Sequence, residues 1–241
     1  MSVLVIGTGF VGWGIVQRLL RDHEVVLTWG QLDDADGLAS FLVEQNPTAV
    51  VLAAGSPRHA GFQLDRRTLT EHVLVAECVA RYAKSFGARI VLISSTAVLQ
   101  PIRTGYGVLK FLVEHIVDGP RTVVLRSGTV VHTLNDRNQS VLHKFVRAAA
   151  AGVPLPVHDE AVGRLVYLVT RDQLAERVAR SLTCSVPRGP SIVDMWRGSV
   201  WDLANLVRVR AETANPQHFV GYRILDVIDA MLAEARKEKS T

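Results

Sequence analysis

Cysteine is nearly absent. The chain has two, Cys78 and Cys184, each isolated inside an apolar helical pattern. That usage has neither the spacing of a metal site nor the density of a disulfide scaffold, so both are expected as reduced, buried thiols of a cytoplasmic protein. Missing too is any apolar run approaching the 18 or so residues of a membrane span. The opening "MSVLVIG" has no basic n-region and breaks at Gly7, so no membrane or export signal is expected. Lys and Arg are scattered rather than striped, although the formal charge is +4 and the pI is near 9.3. The scatter speaks against nucleic acid and for an anionic small molecule as partner. No low-complexity tract or internal repeat interrupts the 241 residues, 48% of them hydrophobic, which suffice for one compact domain with a large core.

Five short runs, "SVLVI", "EVVLTW", "TAVVLAA", "RIVLIS" and "RTVVLRS", are β-branched and nearly uniformly apolar, as strands buried on both faces read. Helix-like spacing fills the segments between them. The alternation predicts β-α-β units and a parallel sheet. After Arg126 the rhythm loosens. "SVLHKFVRAAAAG", "RDQLAERVARSL" and "SVWDLANLVRV" read as helices, the last after a serine cap, and "GRLVYLVT" and "PSIVDM" as strands. "YRILDVIDAMLAEARKEKS" is an amphipathic helix with Leu225, Ile228 and Leu232 on one stripe.

The first strand runs into "GTGFVGWG", which sets Gly7, Gly9 and Gly12 in a G-x-G-x-x-G spacing before a helix. There the strand must turn sharply, the backbone must approach a pyrophosphate with no Cβ in the way, and the helix N-terminus must offer free N–H groups. A strand before and a helix after supply the context this fingerprint needs; the alternative is a tight turn packed on the sheet. The reading is an α/β, Rossmann-type doubly wound parallel sheet with a small C-terminal substrate lobe. Residues 1–130 form the dinucleotide-binding core, and 131–241 a mixed segment that supplies the lobe and returns to the core. "EVVLTWG" ends at Trp29 and Gly30 without the acid that binds an adenosine ribose 2′-hydroxyl, and without an arginine for a 2′-phosphate. NADP(H) is favoured over NAD(H), because no carboxylate there repels the extra phosphate. Asp33 and Asp34 precede "ADGLASFLVEQ" and read as helix N-caps.

"LISSTAVLQPIRTGYGVLK", residues 92–110, holds the chemistry. Ser94 and Ser95 lie at the carboxyl end of the fourth strand, the edge where doubly wound sheets bind ligands. Tyr106 and Lys110 are four apart, on one face of the following helix. A free tyrosine has a pKa of about 10, and a lysine ammonium beside it is expected to lower that value. A serine hydroxyl would hold the substrate oxygen next to Tyr106. Each element alone is common in structural helices and strands; the order of all of them is not.

That order, G-x-G-x-x-G first, "AAG" after the third strand, "SS" after the fourth and Tyr-x-x-x-Lys on the next helix, resembles the short-chain dehydrogenase/reductase superfamily over nearly the whole chain. Within it the chain is similar to the extended, sugar-nucleotide-modifying branch, and in particular to its dTDP-4-dehydrorhamnose reductase-like group. "QLDDADGLASFLVEQNPTAVVLAAG" and "DEAVGRLVYLVTRDQLAERV" carry that likeness. The resemblance implies Tyr106 as general acid, Lys110 on the nicotinamide ribose and tuning Tyr106, and Ser95 hydrogen-bonded to the reacting oxygen, a role open also to Ser94 or Thr96. It implies that Gly7, Gly9, Phe10, Val11 and Gly12 cradle the pyrophosphate, that Ala53, Ala54 and Gly55 line the cofactor groove, and that "LRSGTVV" runs beneath the nicotinamide. Trp29 and Ser94 fall on the cofactor side, Thr96, His132 and Arg164 on the substrate side.

The pattern departs from the family in places. Ten residues separate Ser95 from Tyr106 where a longer loop is usual; ten residues span roughly 33 Å, so the loop still reaches. His72 stands where asparagine is common, and the C-terminal part is short. Arg103, His132, Arg137, His143, Lys144, His158 and Arg164 are the candidates for a diphosphate, with Arg164 foremost because it matches the family's Gly-Arg pair. The implied activity is NAD(P)H-dependent reduction of a keto group on a nucleotide-activated sugar. Its alternatives are a redox-neutral sugar-nucleotide epimerase and a non-catalytic nucleotide-binding subunit of a complex. No metal is expected, and the oligomeric state stays open, a homodimer included.

Overall fold

A computed structural model describes residues 1–22, 25–55, 65–99, 104–135, 140–184, 189–193, 196–212 and 223–239. The chain divides into two compact units, Met1–Ser127 with Asp172–Val193, and Gly128–Arg171 with Asp194–Thr241.

In the first unit, strands β1 (Ser2–Ile6), β2 (Val25–Trp29), β3 (Ala49–Leu52), β4 (Arg89–Ser95), β5 (Thr122–Ser127) and β8 (Ser191–Val193) form one sheet in the order β2-β1-β3-β4-β5-β8. Every pairing is parallel. The interior of β1 and all of β3 are buried, which explains their uninterrupted apolar sequences: helices cover both faces of such a sheet. Those helices are α1 (Phe10–Leu19), α2 (Ala35–Gln45), α3 (Arg66–Phe86), α4 (Gly105–Ile116) and α6 (Arg171–Thr183). Between β1 and β3 the strand order reverses, and the crevice outside their carboxyl ends is where doubly wound sheets take ligands. "ADGLASFLVEQ" is α2 to the residue, and Asp34 caps it by accepting from the Gly37 N–H at 2.8 Å.

Cys78 is buried, but the expectation of a second buried thiol is corrected, because Cys184 is exposed. Helix α6 ends at Thr183, so Cys184 falls beyond its buried stripe. The Cys184 carbonyl and that of Ser181 both accept from Arg89 Nη1 at 2.8 Å.

The second unit has its own sheet of β6 (Thr129–Val131), β7 (Leu165–Thr170) and β9 (Trp196–Ser199), with β6 parallel and β9 antiparallel to β7. Helices α5 (Val141–Ala151), α7 (Val200–Glu212) and α8 (Arg223–Lys239) pack with it around Phe145, Leu203, Ile228 and Met231. Leu225, Ile228 and Leu232 are buried, so the amphipathic stripe faces this core. Ser199 caps α7, accepting from the Asp202 N–H at 3.0 Å. Among the described residues no helix is long and apolar enough to cross a membrane, and no cluster of His, Cys, Asp and Glu suits a metal ion.

Candidate active site

The turn after β1 is tied to both neighbouring strands. The Gly7 N–H donates to the Trp29 carbonyl at 2.8 Å, and the Ala53 N–H donates to the Ile6 carbonyl at 2.9 Å. Gly7 has φ 90°. A Cβ on Gly12 would lie 1.8 Å from the Gly7 carbonyl oxygen, so α1 packs this tightly on the turn only because position 12 has no side chain. At Gly9 the space beyond Cα is open, and Gly9 caps α1 without a side-chain bond. Phe10 and Val11, half-buried, form the first turn of α1 beside that space, and a helix N-terminus favours a bound anion. That open cradle fits the pyrophosphate of a dinucleotide. Trp29, half-buried, packs its ring 5.2 Å from that of Phe41, and its indole N–H donates to the Gln31 carbonyl at 2.5 Å. Asp33 pairs with Arg67 at 3.3 Å. A cavity of about 620 Å³ opens here, lined by Leu32, Asp33, Asp65, Arg67 and Glu71 among others.

Across the reversal, β4 ends at Ser95, whose Oγ accepts from the Ala97 N–H at 3.1 Å and so starts the 3-10 turn Thr96–Leu99. Thr104 caps α4, its Oγ1 accepting from the Gly107 N–H at 2.9 Å. In the first turn of α4 stands half-buried Tyr106, and one turn on is Lys110, 3% exposed. Lys110 Nζ donates to the Ala54 carbonyl at 2.7 Å and to the Ile93 carbonyl at 3.0 Å, and lies 5.8 Å from the Tyr106 ring centre. Gly55 has φ 135°, and a Cβ there would sit 2.5 Å from Lys110 Nζ. The last residue of "AAG" thus leaves room for a lysine. The structure brings Ser95, Tyr106, Lys110, Ala54 and Gly55 together.

Burial pushes the Tyr106 hydroxyl up to about 12, opposed by a hydrogen bond with the Ser95 side chain. The expectation that Lys110 lowers it is corrected: the ammonium is turned to two backbone carbonyls, and loss of water dominates. Lys110 itself is brought down to about 8 by burial, against the attraction of Glu114. At neutral pH Tyr106 holds its proton and Lys110 is mostly charged.

Ser94, expected at the cofactor, is 2% exposed and donates from Oγ to Glu114 Oε1 at 2.5 Å. Arg126 grips the same carboxylate, Nε to Oε1 at 3.0 Å and Nη2 to Oε2 at 2.6 Å. Glu114 and Arg126 were not anticipated, although Glu114 follows Lys110 by four residues and prolongs the face of Tyr106 and Lys110.

His132 and Arg164 belong to the second unit. His132 Nε2 accepts from Arg171 Nη2 at 2.7 Å, and Arg164 is exposed just ahead of β7. His143 is a packing residue, fully buried, with Nδ1 accepting from the Ser140 N–H at 3.1 Å and Nε2 donating to the Thr133 carbonyl at 3.0 Å. Lys144 and His158 are exposed, and Thr96 is half-buried at the start of the 3-10 turn. His72 is buried and donates from Nδ1 to the Thr68 carbonyl at 2.8 Å. Arg103 and Arg137 lie outside the described residues.

A Rossmann-like sheet with a glycine turn at its reversal and a Tyr-x-x-x-Lys helix beside it defines a short-chain dehydrogenase/reductase type of enzyme. Residues 3–165 match the model of the NAD dependent epimerase/dehydratase family, and the chain belongs to that family. It is accordingly an enzyme dependent on a nicotinamide dinucleotide. Solved structures share its fold. WbmG of Bordetella bronchiseptica, in complex with NAD and UDP, is 18% identical with a TM-score of 0.71, covering 100% of this chain and 96% of that one. A Thermus thermophilus UDP-glucose 4-epimerase complex with NAD is 20% identical with a TM-score of 0.69, covering 98% and 99%. A hypothetical dTDP-4-dehydrorhamnose reductase from Sulfolobus tokodaii is 17% identical with a TM-score of 0.72, covering 98% and 94%. No curated protein matches the chain in sequence.

Proposed function

We propose that the protein reduces a keto group on a nucleotide-activated sugar. The observation that carries this reading is Tyr106, held protonated by burial beside the Ser95 hydroxyl and the Lys110 ammonium. A bound reduced nicotinamide supplies the hydride. Ser95 donates a hydrogen bond to the substrate carbonyl oxygen and polarises it, and Tyr106 passes its proton to that oxygen as charge develops there. Lys110, its ammonium held by the Ala54 and Ile93 carbonyls, binds the nicotinamide ribose. The glycine cradle from Gly7 to Gly12 holds the pyrophosphate, with Ala53, Ala54 and Gly55 on the other wall of the groove. The Arg164 guanidinium carries a charge suited to a diphosphate.

A preference for NADP(H) goes with this reading. Strand β2 ends on Trp29, Asp34 is spent on the α2 cap, and Asp33 is paired with Arg67, so no free carboxylate stands at the strand end. Competitive titration with NADPH and NADH tests it, and tighter NADH binding overturns it.

A redox-neutral epimerase is the second reading, supported by the family and by the epimerase named among the similar folds. An epimerase must first take a proton from a sugar hydroxyl, and a tyrosine near 12 is better made to give one. Keto-sugar nucleotides incubated with NADPH separate the two: a reductase consumes the cofactor in stoichiometric amount, and an epimerase returns it. Tyr106→Phe should keep fold and cofactor affinity while turnover falls roughly 10²–10⁴-fold, as for a lost general acid. Wild-type turnover in that variant overturns the catalytic assignment and favours a non-catalytic subunit.

A further inference from the structure

The buried face of α4 continues past Lys110 to Glu114, and the reaction scheme above leaves that residue without work. Glu114 is 6% exposed, and both its oxygens are taken, Oε1 by Ser94 Oγ and Arg126 Nε, Oε2 by Arg126 Nη2. Burying an ion pair costs several kcal/mol per ion, and apolar residues of similar volume often serve stability as well, so stability alone is a weak reason for this arrangement. Its location is informative. Ser94, which Glu114 holds, lies between Ile93, whose carbonyl accepts from Lys110, and Ser95 at the carbonyl site. The Ser94 carbonyl is held in turn by Ser127 Oγ at 3.2 Å.

We propose that Glu114 is a positioning residue for the dinucleotide site: anchored by Arg126, it holds Ser94, next to the Ile93 carbonyl that accepts from Lys110, and sets a carboxylate one turn from Lys110 on the buried face of α4. The proposal rests on the reading of Lys110 as a dinucleotide-binding group. On the buried face of α4, Tyr106 stands one turn before Lys110 and Glu114 one turn after it, and β5 contributes Arg126, whose fork is turned to Glu114. The Ala54 carbonyl, just after β3, and the Ile93 carbonyl of β4 accept from the ammonium without supplying net charge. Glu114 is the group whose charge opposes the effect of burial on Lys110.

The test is NADPH affinity across pH 6 to 10 in the full chain. In the wild type, affinity should fall as Lys110 loses its proton. In Glu114→Gln the midpoint of that fall should move to lower pH by about half a unit or more, because the opposing charge is gone. Glu114→Asp keeps the charge and should move the midpoint less, in the same direction. A merely structural Glu114 would weaken binding equally at every pH. An unmoved midpoint in Glu114→Gln overturns the proposal, and if that variant does not fold, an unmoved midpoint in Glu114→Asp does so. Lys110→Met separates the two readings. If it abolishes the pH dependence while the Glu114 variants leave the midpoint unmoved, the proposal alone fails; if the wild type binds no NADPH at any pH, the reading of the site fails and takes the proposal with it.

Discussion

At the end of β1, a Cβ on Gly12 would sit 1.8 Å from the Gly7 carbonyl oxygen, whereas at the end of β3 a Cβ on Gly55 would sit 2.5 Å from Lys110 Nζ. The first clash is with backbone, which cannot give way without undoing the turn. The second is with the far end of a side chain, which can move at the expense of its hydrogen bonds to Ala54 and Ile93. The β1 end works through main-chain N–H groups and requires side chains to be missing. The β3 end works through a buried lysine and requires space for it. On the proposed reading the β1 half acts on dinucleotide affinity alone, whereas the β3 half, through Lys110, acts both on affinity and on hydride transfer.

Substitution at each end should split those two properties. Gly55→Ala combines an unfavourable φ, costing of order 1–3 kcal/mol, with pressure on Lys110. Displacing the lysine under Tyr106 should lower single-turnover hydride transfer on the order of 10²-fold, the scale of a misplacement near 1 Å. Gly12→Val should instead weaken dinucleotide binding more than tenfold, about 1.4 kcal/mol or more, with the rate at saturation much less affected. Calorimetric affinities alongside stopped-flow rates would read both. Equal losses of affinity and rate in the two variants would erase the division drawn above.

The pH dependence sharpens the same contrast. Turnover should fall as pH rises through about 8, where Lys110 loses its proton, while Tyr106, near 12, stays protonated throughout. Stability should not follow that fall. Lys110 has its folded pKa below the unfolded 10.5, so the cost of burying its charge is fully present below 8 and is relieved as pH rises towards 10.5. Tyr106 acts the other way, its neutral form favoured by the fold, so its contribution is lost only as pH rises from 10 to 12. Melting curves between pH 7 and 10 that track the loss of turnover would point to unfolding rather than to the lysine.

What the sequence disclosed divides along the same line. The glycine spacing was legible because backbone geometry dictates it, and Tyr106 and Lys110 because a helix face repeats every three to four residues. Asp34 was legible as a cap because it directly precedes an apolar helical pattern. The Glu114 network was not, since Ser94, Glu114 and Arg126 stand on three elements that only the folded sheet brings together. Part of it was within reach. Successive side chains on a strand point to opposite faces, so Ser94 and Ser95 had to diverge, one to the interior and one to the site. Strands β6 and β9, at 3 and 4 residues, are too short to show a pattern, and no periodicity reveals that the chain leaves the first unit after Ser127 and rejoins it at Asp172.

The smallest expected effect concerns two caps of equal strength. Thr104→Ala and Asp34→Ala each remove one side-chain acceptor from a helix N-terminus, a bond of 2.9 Å to the Gly107 N–H and of 2.8 Å to the Gly37 N–H. Each should cost about 1 kcal/mol of stability in denaturant unfolding. Their kinetic effects should differ. Tyr106 is the second residue of α4, so loosening that first turn loosens the proton donor, whereas α2 carries no group assigned to the chemistry. If all of the lost capping energy appeared at Tyr106, 1 kcal/mol would correspond to roughly fivefold in rate, which sets the ceiling for Thr104→Ala at saturating cofactor. Asp34→Ala should leave that rate unchanged. A rate loss shared by both variants would mean that Tyr106 responds to the stability of the whole unit, and a loss in neither would mean that the contact with Ser95, rather than the cap, holds the tyrosine in place.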